Sequence, residues 1–193
     1  MPRTLLLLLL PLLQGAVPVP LSIHLSVAEP EGAKAWIDGQ VAVACQRYAA
    51  AGGRFEVRQR LSFGLPGPQI TDVPGRNVLA RQLGRDHTIH VFVVDRLANK
   101  DLSGAWIGGV HWRHRGRRYI IISRSEALPD TLAHELGHYF GLSHTRTVDN
   151  LMTSPGRRDG VGLDAGQLRR VRARLRSWIP PQPPAQNRRS GVR

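Results

Sequence analysis

HELGHYFGLSH, residues 134–144, gathers three of the chain's eight histidines within eleven positions, spaced four and then six apart. Four residues is about one turn of α-helix, so His134 and His138 fall on one face, where both imidazoles can reach one ion. Glu135 lies beside them, near enough to touch a water on that ion without binding the ion itself. Gly141 is placed to end the helix, because glycine takes the left-handed backbone readily. His144 can then swing back as a third nitrogen. Three neutral imidazoles suit zinc and leave one position open for water. Structural zinc sites are usually closed by four protein ligands, often sulfur, and this chain has a single cysteine, Cys45. An open three-histidine site with an adjacent glutamate therefore points to catalysis. The pattern fixes five residues, and a chance match is on the order of one in a million per window.

The rest of the 193 residues must build a scaffold for that helix. Apolar residues make up 41%, enough for one globular domain with a real core. Cys45 cannot form an internal disulfide, so stability must come from the core, a metal, or both; it is expected to be buried as a small apolar side chain. Residues 1–18 (MPRTLLLLLLPLLQGAVP) carry Arg3, then an apolar run from Leu5 to Leu13, then small residues. This is the layout of a secretory signal peptide and is too short to span a membrane. The net charge of +13 comes almost wholly from arginine. Those arginines are spread along the chain without aromatic interleaving, so specific nucleic-acid binding is not expected. The expected protein is a monomer, extracellular or periplasmic, with no transmembrane segment.

Periodicity supplies the elements. Val19, Leu21, Ile23, Leu25 and Val27 alternate as in a strand; Ile37, Val41, Cys45 and Tyr48 recur as in a helix over about 31–51, stopped by Gly52 and Gly53. A second strand covers 54–63, and a Gly/Pro-rich loop covers 64–78. The run from His87 (HTIHVFVVDRL) reads as a central strand. Residues 104–112 and 117–124 read as a hairpin turning near Gly116. Gly108 and Gly109 inside its first strand suggest a bulge or a close backbone approach. After the histidine helix, about 129–141, comes a loop containing Met152. Asp164 and Gln167 form a capping box for a last helix, with Leu168, Val171, Leu175 and Trp178 inward. Residues 180–193 read as a disordered Pro/Arg-rich tail.

HELGHYFGLSH resembles the HExxHxxGxxH signature of the metzincin zinc endopeptidases, and DNLM, ending at Met152, looks like their methionine-containing turn. Thr145, directly after the third histidine, is similar to what matrixins carry there. The resemblance is strong at the motif and one of pattern over residues 19–179. It implies an α+β fold of metzincin-like zincin type: a twisted, mixed five-stranded sheet with an active-site helix and a C-terminal helix. It implies zinc on His134, His138 and His144, with Glu135 as general base and Met152 as a hydrophobic floor. It also implies that an extended polypeptide substrate pairs antiparallel with the edge strand, for which Trp106, Gly108 and Gly109 are the candidates. A structural calcium or second zinc is not expected, because His87, His90, His111 and His114 lack a diagnostic spacing. No cysteine-bearing pro-segment is expected between leader and domain. The competing function is a binding protein of the same fold that has lost turnover and holds an anionic partner on its basic surface; an intact Glu135 counts against it.

Overall fold

The computed structural model describes residues 16–25, 32–64, 69–84, 86–153 and 162–179. Nearly all of the expected leader and the whole expected tail lie outside these residues, as does Val27. β1 (Val17–Leu25) starts two residues inside the segment read as leader. Then come α1 (Ala33–Tyr48), β2 (Gly53–Ser62), β3 (Gln69–Ile70), α2 (Val73–Val78), β4 (Ile89–Val94) and β5 (Arg96–Leu97). β6 (Gly109–His114), β7 (Arg117–Ser123), α3 (Thr131–Tyr139) and α4 (Ala165–Leu175) complete the order.

The main sheet has the order β2-β1-β4-β7-β6. Its first four strands are mutually parallel, and β6 lies antiparallel to β7 at one edge. The expected mixed five-stranded sheet is therefore present. One face is an aliphatic layer of Val19, Leu21, Ile23, Val91, Ile120 and Ile122 covered by α1, α3 and α4. The other face packs Phe92, Tyr119 and Ile121 against Ile70, Leu79 and Leu97. Burial on both faces explains why β4 and β7 read as continuous apolar runs rather than alternating ones.

Several boundaries differ from expectation. Residues 64–78 are not all loop: Asp72 accepts a hydrogen bond from Gly75 N (2.7 Å) and caps α2, with Pro74 in the first turn. The turn chemistry of this Gly/Pro-rich stretch serves a helix start. α2 docks through Arg76, 2% exposed, whose guanidinium donates to Ala98 O and lies over the Trp112 ring. The expected strand 104–112 begins only at Gly109, because Trp106 crosses to bridge Ala98 and Ile107 N donates to Leu97 O (2.9 Å). Cys45 is half-buried rather than buried, its Sγ facing the Phe55 backbone. The hairpin does turn at Gly116. Arg115 (φ 47°) and Gly116 (φ 77°) are both left-handed, as a type I′ turn requires. Gly52 (φ 77°) and the Asp164–Gln167 capping box also stand where they were read. No helix among the described residues is long and apolar enough to cross a membrane.

Candidate metal centre

α3 is short, and its exposed backbone groups are satisfied from outside. Gln40 of α1 accepts from Leu132 N (3.0 Å) and donates to Leu128 O (2.8 Å), filling the start of the helix with a buried amide. Tyr48 donates to Ala133 O (2.9 Å) from beneath. Burial pushes the Tyr48 hydroxyl well above its usual range, with the Glu135 charge adding to the effect. Tyr48 is thus a fixed donor.

At the other end Gly141 adopts φ 88°, and Leu142 N reaches back to Gly137 O (2.9 Å). That reversal delivers His144 to the helix face. The three Nε2 atoms form a triangle: His134–His138 3.1 Å, His138–His144 3.0 Å and His134–His144 3.2 Å. A tetrahedral zinc with Zn–N of about 2.05 Å needs N···N separations of about 3.3 Å. His134 Nδ1 donates to Leu151 O (2.7 Å) and His138 Nδ1 donates to Leu142 O (2.9 Å). Carbonyl partners fix the tautomer, so both Nε2 atoms present lone pairs. Two acceptors facing each other at 3.1 Å repel unless a cation lies between them, so the donor set fits a zinc ion. Burial lowers the His138 pKa; the Leu142 carbonyl opposes this and His144 reinforces it.

Met152 is fully buried under α3 and packs at Gly137, inside the motif. A Cβ on Gly137 would overlap Met152 Sδ and come within 3.2 Å of Tyr48 Oη. Gly137→Ala is therefore expected to cost about 1–3 kcal/mol by overpacking and to weaken zinc binding; an unchanged unfolding midpoint in denaturant would contradict this packing account. The turn carrying Met152 is held from an unexpected side. Asn150 Oδ1 accepts from Met152 N (2.8 Å), and the Asn150 amide pairs both ways with Gln167, at 2.9 and 3.2 Å. Gln167 is also the capping-box residue of α4, so one glutamine links the C-terminal helix to the Leu151 carbonyl that orients His134. Its N-cap spacing was legible; its second task was not.

Glu135 is 6% exposed, and its Oε2 accepts from His111 N of β6 (2.7 Å). The carboxylate therefore stands between the histidine triangle and the edge strand. Gly108 and Gly109 are small for a related reason. A Cβ on Gly109 would lie 2.8 Å from Thr131 Cγ2 and 3.0 Å from Glu135 Cγ; one on Gly108 would lie 3.0 Å from Glu126 O. The close approach is made by the protein's own backbone before α3 at Gly108 and by α3 side chains at Gly109. These glycines, Trp106, His111, Arg113, Glu135 and the three histidines line one open cleft of about 1030 Å³. The remaining histidines are dispersed. His87 packs on Trp178, His111 on Tyr139, and His24 Nε2 meets His90 Nδ1 (2.9 Å). Among the described residues, only His134, His138 and His144 form a group of three that could hold a metal.

Neither a family model nor a curated protein matches the sequence. Solved structures share its fold. Archaemetzincin from Methanopyrus kandleri aligns with a TM-score of 0.56 at 15% identity, over 84% of this chain and 96% of that one. Metalloproteinase-II from Bacteroides fragilis aligns with a TM-score of 0.56 at 17% identity, over 82% of this chain; the match spans 53% of that longer protein. The chain thus has a metzincin-like zincin fold, with a histidine triad that suits zinc.

Proposed function

We propose that the protein is a secreted zinc-dependent endopeptidase of matrixin-like metzincin type, which cuts internal bonds of extended polypeptides. The observation that carries this is the triangle of three Nε2 atoms with the buried Glu135 carboxylate beside it. The leader-like residues 1–18 support secretion, and Thr145 after the third histidine supports the matrixin-like type.

His134, His138 and His144 would hold the zinc. When bound, the ion supplies Lewis acidity, acidifying a water and polarising a carbonyl. Glu135 then takes the proton of the attacking water and returns it to the leaving amine. The His111 amide orients that carboxylate, so the base need not be ordered during the reaction. Met152 supports the triad through Gly137, and the carbonyls of Leu151 and Leu142 keep two ligands in the correct tautomer. A substrate adds as a strand along β6, antiparallel to it, as the family resemblance implies.

Purified protein incubated with a denatured protein mixture is expected to generate new internal termini that vanish with a chelator and return with zinc. No new termini from protein with confirmed bound zinc would overturn the peptidase reading in favour of the turnover-deficient binding protein.

A further inference from the structure

β6 is an edge strand whose two faces differ. Val110 packs with the second core and Trp112 Nε1 donates to Asn77 (2.9 Å), so these residues face α2. Gly109 and His111 face α3, since a Gly109 Cβ would meet Thr131 and the His111 ring packs on Tyr139. Period two puts Arg113 on that same face. Its partner in register on β7 is Arg118. Two arginines therefore stand directly opposite each other on the cleft side of the hairpin, an arrangement that is destabilising in itself. Arg118 is accommodated by α3: it lies 4.2 Å over the Tyr139 ring and donates to Tyr139 O (3.1 Å). Arg113 is exposed and makes no hydrogen bond or ion pair among the described residues. Both arginines, with burial the larger cause, depress the nearby His111 to about 4. The opposite end of the same cleft carries Asp101 and Glu126. Both of these acids are ion-paired, Asp101 with Lys100 and Glu126 with Arg96 (3.2 Å), so the charge that distinguishes the two ends of β6 is that of Arg113, beyond His111.

The backbone turns the same way. His111 N donates to Glu135 and not to β7, so by antiparallel alternation Arg113 also directs its amide and carbonyl off the free edge. A peptide adding there pairs with Arg113, and its opposing residue points its side chain to the arginine's face.

We infer that Arg113, backed by Arg118, forms a subsite for an acidic side chain of the substrate, so that the protein selects polypeptides with Asp or Glu on the N-terminal side of the cut. This rests on the peptidase reading and its antiparallel alignment. The acidic residue lies two positions before the residue opposite His111, which is the second or third position before the scissile bond.

The test uses the full zinc-loaded chain and a proteome-derived peptide library. Cuts are expected to be enriched in Asp and Glu at those two positions. For a matched pair of peptides, Glu against Lys there, Arg113→Glu should lower the kcat/KM ratio at least 10-fold, and Arg113→Gln should fall between. Uniform cleavage, or an unchanged ratio in Arg113→Glu, overturns the inference. If the wild type cuts nothing, the peptidase reading fails separately. In that case binding decides, by fluorescence anisotropy of the Glu and Lys peptides on Glu135→Ala protein. Tighter binding of the Glu peptide, lost in Arg113→Glu, sustains the subsite; equal binding, or preferential binding of a single-stranded DNA oligonucleotide, overturns it.

Discussion

Glu135→Gln is expected to lower kcat/KM for a peptide about 10²- to 10⁴-fold, equivalent to about 3–5 kcal/mol of transition-state stabilisation, while zinc stoichiometry stays at the wild-type value. Glutamine keeps the length and one oxygen, so the hydrogen bond from His111 N can persist. What it loses is the basic oxygen that takes a proton from water. Glu135→Ala removes the base and the tie to β6 together. The difference between the two variants in Michaelis constant therefore reports how far the carboxylate also positions the edge strand. Zinc content by atomic absorption and hydrolysis of a fluorogenic peptide are the readouts. Wild-type turnover by Glu135→Gln with zinc bound would sink the proposed mechanism.

The second large effect is on stability. His24, 1% exposed, stacks on Phe92 at 4.3 Å and bonds to His90, which meets Asp86 at 3.1 Å. Burial is the main cause that lowers His24 from 6.5 to about 4, and the neighbouring His90 lowers it further while Asp86 opposes. His90 is lowered too, by burial, with Asp86 and Arg117 acting in opposite directions. A histidine depressed in the folded state binds its proton more readily when unfolded. Its contribution is therefore fully present above about pH 6.5 and is lost as pH falls through about 4. For His24 the loss amounts to about 3 kcal/mol. The unfolding free energy in urea, with chelator present throughout, is expected to drop between pH 7 and pH 4. His24→Phe, set between Phe63 and Phe92, should be markedly less pH-sensitive. Equal acid slopes in the two proteins would remove His24 as the cause.

What could be read in advance follows a physical division. Helix periodicity and capping are local, so α1, α3 and α4 were legible to within a few residues, and so was the Asp164–Gln167 box. α2 had its signals, Asp72 and Pro74, but six residues give too little periodicity to outweigh a Gly/Pro-rich setting. Trp106 reads as part of the edge strand because an apolar run cannot tell which neighbour it pairs with; its partner Ala98 is set by the β3–β5 ladder. The glycines at 108 and 109 signalled a close approach, and the groups of this chain that come close are Glu126 O and Ala127 before α3 and Thr131 and Glu135 on it.

The sequence by itself determined the chemistry of the centre. Spacings of four and six around a helix-ending glycine place three imidazoles on one side of a helix and its turn, because that pattern is contained within eleven residues; a nine-residue helix still needs the rest of the chain to hold it. Only the tertiary structure decided how the centre is held and approached. The Leu151 and Leu142 carbonyls behind the imidazoles, the Gln167–Asn150 link, the His111 amide on Glu135 and the Arg113–Arg118 pair mostly join residues distant in the chain. Strand register decides the two contacts made by β6, because shifting it by one residue would turn each of its side chains to the other face, while the packing of the Met152 turn against α3 and α4 decides those of Leu151 and Asn150.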